Sequence, residues 1–149
     1  MKVSETLSDE QKRTLVALVD QIIPPSSNGE MPGAAEAGCA DQLQGEANLL
    51  WLREGLISIT EMSHDRFGRE FASLTGPERE HLVAAWRRSF VRASIRLANQ
   101  VVEFYYQHET VLEAIGLPSR PPFPEGYVVE DGDLTLLEPV FERGNIYRD

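Results

Sequence analysis

Apolar residues recur at steps of three and four over most of positions 8–116, the spacing of helices that bury one face. The longest run lies between Thr75 and Gly116. There Leu82, Trp86, Phe90, Ala93, Leu97, Val101 and Phe104 draw one stripe, with no glycine or proline between Glu78 and Gly116. Thr75-Gly76-Pro77-Glu78 writes its start: a capping hydroxyl, a glutamate three positions on and a proline in the first turn. The pattern predicts one long central helix from Glu78 to Gln107, about 45 Å at ~1.5 Å per residue, with the other segments packed around it.

Ser8-Asp9-Glu10-Gln11 repeats the capping logic ahead of Leu15, Leu18, Val19, Ile22 and Ile23, and Pro24-Pro25 stops that helix. Ser26 to Gly33 reads as a surface loop, and Ala34 to Leu43 as a small-residue helix able to approach another backbone closely. Leu49, Leu52, Leu56 and Ile59 predict a further amphipathic helix ending before Gly68, with Phe67 and Phe71 plugging the junction that follows. Val111, Leu112 and Ile115 add a last helical segment, bent from the long helix near His108 and closed by Gly116.

After Pro118 the pattern changes. Arg120 to Tyr127 is proline-rich and predicts an extended tail. Val128 to Leu137 places two β-prone runs around Asp131-Gly132, a signal for a small β-hairpin. The predicted fold is therefore mainly α: one compact helical domain, with a helical core over residues 8–116 and an extended tail over residues 117–149.

Charge narrows the range of partners. The chain of 149 residues carries 24 acidic and 14 basic side chains, a net charge of −10, which argues against nucleic acid and against an acidic membrane surface. No apolar run reaches the ~20 residues of a membrane span, and Met1 to Glu10 lacks the regions of a secretion signal, so the expectation is cytoplasmic. The lone Cys39 excludes an internal disulfide and cannot by itself build a metal site. Arg88, Arg92 and Arg96 stand at i, i+4 and i+8 on the predicted long helix. They either pair with the domain's own carboxylates or form a docking strip for an acidic partner surface.

The sequence holds no dinucleotide or phosphate glycine loop, no Cys-x-x-Cys pair and no His-Glu-x-x-His helix. His64, His81 and His108 fall on different segments, and Asp131-Gly132-Asp133 lacks the spacing of a calcium loop. No catalytic, cofactor-binding or metal-ligating residue is assigned. Tyr105-Tyr106 reads as core packing or as a stacking surface. The tail supplies the first candidate interface, with Pro122, Phe123, Tyr127, Phe141 and Tyr147 as anchors; the alternative is that these side chains cover the chain's own helices.

Three stretches resemble the gluconate 2-dehydrogenase subunit 3 family, in the family's order. They are Ile22-Ile23-Pro24 with Pro32 to Gly38, then Asp65 to Arg79, then Tyr105 to Val111 with Ile115-Gly116 and Pro121 to Tyr127. The resemblance implies a small accessory subunit supporting the folding, flavin loading or export of a large flavoprotein of the glucose-methanol-choline type. In that arrangement FAD and hydride abstraction belong to the large subunit, and a cytochrome c subunit or another acceptor takes the electrons. Family members commonly begin with a twin-arginine signal, whereas Met1-Lys2-Val3-Ser4-Glu5 leads directly into the first helix. The resemblance thus adds a periplasmic alternative, as part of an exported complex. Two competing readings are a free-standing helical adaptor and a cryptic site joining a histidine to a carboxylate such as Glu103.

Overall fold

The computed structural model describes residues 7–45, 49–119, 126 and 131–144. The chain divides into two units, Met1–Ser119 and Arg120–Asp149. The first holds six helices among its described residues: α1 (Asp9–Ile22), α2 (Cys39–Gly45), α3 (Leu49–Phe67), α4 (Gly76–Ser89), α5 (Val91–Tyr105) and α6 (Glu109–Ala114). The second holds a 3-10 turn, Leu134–Leu137, and α7 (Glu138–Arg143). Among the described residues there is no strand, and the mainly-α expectation holds.

Several ends fall where the sequence places them. Ser8 Oγ accepts the Gln11 N–H at 3.2 Å while Gln11 Oε1 accepts the Ser8 N–H at 2.9 Å, closing both donors at the start of α1. Gly68, at φ +65°, follows the last residue of α3 in the left-handed conformation that ends helices. Gly116 does the same after α6, where the Leu117 N–H returns to the Leu112 carbonyl at 2.9 Å.

The uninterrupted long helix is not formed. Phe90, at φ −123° and ψ 53°, leaves the helical region and separates α4 from α5. The turn around it keeps its hydrogen bonds, since the Phe90 N–H reaches the Trp86 carbonyl and the Ser94 N–H reaches the Phe90 carbonyl. Burial gives the reason for the break. On α4 the buried residues are Leu82 and Trp86; on α5 Leu97 and Val101 keep to the stripe, but Phe90 is exposed, Ala93 and Phe104 are only half-buried, and Ser94 and Tyr105 are buried in their place, so the buried face turns toward their side. The break lets each half turn its own face inward. The hub is instead α1, which packs on α2, α3, α4, α5 and the 3-10 turn Phe71–Ser73 through Thr14, Leu15, Leu18 and Val19.

The small-residue segment also differs from expectation. Ala34 to Gly38 forms turns, and the helix begins only at Cys39, because Gly38 takes φ +72°. Cys39, Ala40 and Leu43 are buried, and α2 lies against α5, with Cys39 Sγ 3.8 Å from the Val101 carbonyl oxygen. The second strand of the expected hairpin is absent. Asp133 Oδ1 accepts both the N–H and the hydroxyl of Thr135, at 3.0 and 2.6 Å, and starts the 3-10 turn at Leu134. Pro139 then occupies the first turn of α7, where a missing N–H costs nothing. Val128 to Glu130 lie outside the described residues.

At the start of α4 the Glu78 carboxylate accepts the Thr75 N–H at 2.8 Å and the Thr75 hydroxyl at 2.9 Å, and Arg69 donates to it at 2.7 Å. The two Thr75 hydrogen bonds, and then Arg69, hold the Glu78 carboxyl below its ordinary value of 4.5. A carboxyl that ionises more readily when folded contributes stability that is present in full above the unfolded value and is lost as pH falls through the folded one. Glu78→Gln is therefore expected to lower the urea midpoint near neutrality and to show a smaller further drop between about pH 6 and about pH 3 than the unsubstituted chain. Urea titrations at several pH values check this.

Candidate interaction surface

The arginine row does not survive as one face. Arg88 lies in the last turn of α4, whereas Arg92 and Arg96 lie beyond the break on α5. Arg92 and Arg96 line a pocket of about 320 Å³ with Trp51, Glu54, Gly55, Phe90 and Ala93. In it the Arg96 guanidinium lies 4.6 Å from the centre of the Trp51 ring, a cation–π contact within the domain. Arg88 instead joins Arg87, Ala84, Val91, Ser94 and Ile95 around an open trough.

The tail residues divide differently. Phe141 sits on α7, 75% exposed, and Leu134, Leu136 and Val140 beside it in sequence are exposed as well. Pro122, Phe123, Tyr127 and Tyr147 lie outside the described residues. Of the tyrosine pair, Tyr105 is buried and its hydroxyl donates to the Pro32 carbonyl at 2.8 Å, while Tyr106 is exposed. Burial raises the Tyr105 hydroxyl above its ordinary pKa, so it stays a donor.

Two of the three histidines have local partners, while His108 Nδ1 is buried with no hydrogen-bond partner among the described residues. His64 Nε2 lies 3.0 Å from Glu10 Oε1, joining α3 to α1, and Arg66 donates to His81 Nε2 at 2.6 Å. Burial pushes the Cys39 thiol up, away from the thiolate that nucleophilic chemistry uses. Among the described residues no three histidine, cysteine, aspartate or glutamate side chains converge as metal ligands.

The feature that the stripe reading missed is on α5. Val91, Ile95 and Val102 are exposed, with Ala98 between them half-buried, at i, i+4, i+7 and i+11, so they form a second apolar stripe beside the buried one. Tyr106 continues it past the helix end. One helix thus carries an apolar arc that the domain covers only in part. The signal was present in the sequence as an arc too wide for a single buried face. Below this stripe a groove of about 290 Å³ runs between α1, α4 and α5, lined by Leu18, Ile22, Val83, Trp86, Leu97 and Ala98. It shares Arg87, Ser94 and Ile95 with the open trough.

Among the described residues no helix is long and apolar enough to cross a membrane. A family model described as gluconate 2-dehydrogenase subunit 3 matches residues 9–118. No curated protein and no solved structure matches the chain.

Proposed function

The chain belongs to the gluconate 2-dehydrogenase subunit 3 family, and from this premise we propose that it is the non-catalytic small subunit of an FAD-dependent sugar or polyol dehydrogenase, assisting the assembly, stability or export of the large flavoprotein subunit. The observation that carries the reading is the uncovered apolar stripe of α5, a continuous surface of the kind that partners bury.

The starts of α1 and α4 suit a phosphate poorly. A dinucleotide's pyrophosphate is held by free N–H groups at a helix start. At α1 those positions are closed by the Ser8 and Gln11 side chains with Asp9 and Glu10 in the first turn, and at α4 the Glu78 carboxylate stands there. In keeping with these two ends, and on the strength of the family, we assign the flavin to the partner, which supplies hydride abstraction, with a cytochrome c subunit or another acceptor downstream. The role is the same in the cytoplasm or, after export of a folded pair, in the periplasm.

Isolation of the tagged chain from its host is expected to bring down one large subunit with flavin absorbance, while the chain purified alone is colourless and inactive toward sugars. A partner-free chain that oxidises a sugar, or that carries its own flavin, overturns the reading.

A further inference from the structure

We propose that the trough between α4 and α5, together with the exposed stripe that continues from it along α5 to Val102, seats an acidic amphipathic helix of the partner subunit, with the partner's aliphatic side chains on Val91, Ile95 and Val102 and its carboxylates on Arg87 and Arg88. The proposal rests on the accessory-subunit reading and names the chemistry of the partner segment.

Charge selects that chemistry. With 24 acidic side chains against 14 basic ones, an arginine on this chain has carboxylates in excess. Arg13 takes Glu70 at 3.1 Å and Arg69 takes Glu78 at 2.7 Å. Arg87 and Arg88, both exposed, make no ion pair or hydrogen bond among the described residues, and they stand together beside the exposed Val91 and Ile95. Unpaired guanidinium forks beside an apolar stripe complement a surface that is apolar at its centre and carboxylate-bearing at its edge. Nucleic acid or an anionic lipid surface spreads its charge beyond the trough and meets the net charge of −10, whereas a single acidic segment meets chiefly the local Arg87–Arg88 pair.

Shape selects a helix. At ~1.5 Å per residue the stripe from Val91 to Val102 runs roughly 16 Å, three turns of an opposing helix. Its spacing at i, i+4, i+7 and i+11 forms a ridge that the grooves of such a helix receive.

The test uses the full chain in its host, with a photo-crosslinking amino acid at Ile95 and, in a second sample, at the exposed Val16 of α1 as control. The expected result is crosslinks from Ile95, and not from Val16, onto one segment of the dehydrogenase subunit whose apolar residues repeat at three and four among aspartates and glutamates. Arg87→Glu with Arg88→Glu is expected to weaken the reconstituted pair roughly tenfold or more without changing the helical circular dichroism, and lysine substitutions in the partner segment restore it. Crosslinks onto a basic or unpatterned segment or onto a second copy of this chain, or an unchanged affinity, overturn the proposal. If the dehydrogenase copurifies but crosslinks only from Val16, the trough assignment fails and the accessory reading stands. If no dehydrogenase is captured, both fail.

Discussion

Trp86→Ala is expected to cost about 3–5 kcal/mol. Trp86 is 2% exposed and sits between α4, α3 and α5. Its Nε1–H donates to Ser58 Oγ at 2.8 Å, and the Ser58 hydroxyl in turn donates to the Gly55 carbonyl at 2.8 Å. The indole edge also lies where a Gly55 Cβ would be in contact at 3.6 Å, so α3 presents its smallest residue to the largest side chain of α4. Truncation removes this packing and leaves a void beside Leu18, Leu52, Leu56 and Leu97, which line the same junction. In a chain of 149 residues the loss corresponds to a fall of roughly 10 °C in Tm. Trp86→Phe keeps much of the volume and loses the N–H bond, so about 1–2 kcal/mol is expected. Urea denaturation of both variants checks the pair of values. Equal losses would show that the hydrogen bond to Ser58, rather than packing, fixes α4 on α3.

Where a helix end is written in local chemistry, the sequence suffices. Ser8 with Gln11, Pro24-Pro25, Gly68, Thr75 with Glu78, and Gly116 each settle a backbone conformation within a few residues, and the structure places the ends there. The break at Phe90 has no such marker. Ser89-Phe90-Val91 is unremarkable in propensity, and the spacing from Trp86 through Phe90 to Leu97 suits one helix. What decides it is tertiary. Trp86 must face Ser58 while Tyr105 must face Pro32, and one straight stripe does not present both. The same cause hid the candidate surface. Reading Arg88, Arg92 and Arg96 as a row required a continuous helix, and once it breaks, Arg88 joins Arg87 while Arg96 turns to Trp51. In the tail, β-propensity over Leu134 to Leu137 lost to the Asp133 cap and Pro139, signals as local as those at Ser8. The apolar arc of α5 was legible, but only burial separates its covered half from its open half.

Gly33→Ala is expected to lower stability by about 2–4 kcal/mol, although it adds one methyl group. A Cβ at Gly33 would stand 2.7 Å from Asp20 Oδ1, 2.9 Å from Pro25 Cδ and 3.2 Å from Pro25 N. The proline ring cannot swing aside. Asp20 Oδ1 accepts the Ala35 N–H at 2.9 Å, so moving it leaves a partly buried donor unpaired. Moving the loop instead disturbs the Ala34 N–H on the Ile23 carbonyl and the Pro32 carbonyl that receives the Tyr105 hydroxyl. Gly76→Ala is the control: a Cβ there meets nothing within 4 Å and the backbone φ is not positive, so a change of at most about 1 kcal/mol, in the stabilising direction, is expected. Thermal or urea denaturation of Gly33→Ala, Asp20→Ala and their double variant apportions the cost. Asp20→Ala removes one of the three close contacts, so the double variant is expected to lose less than the sum of the singles by about 1 kcal/mol. Strict additivity would mean that Asp20 yields freely and that the Pro25 ring alone demands glycine at position 33.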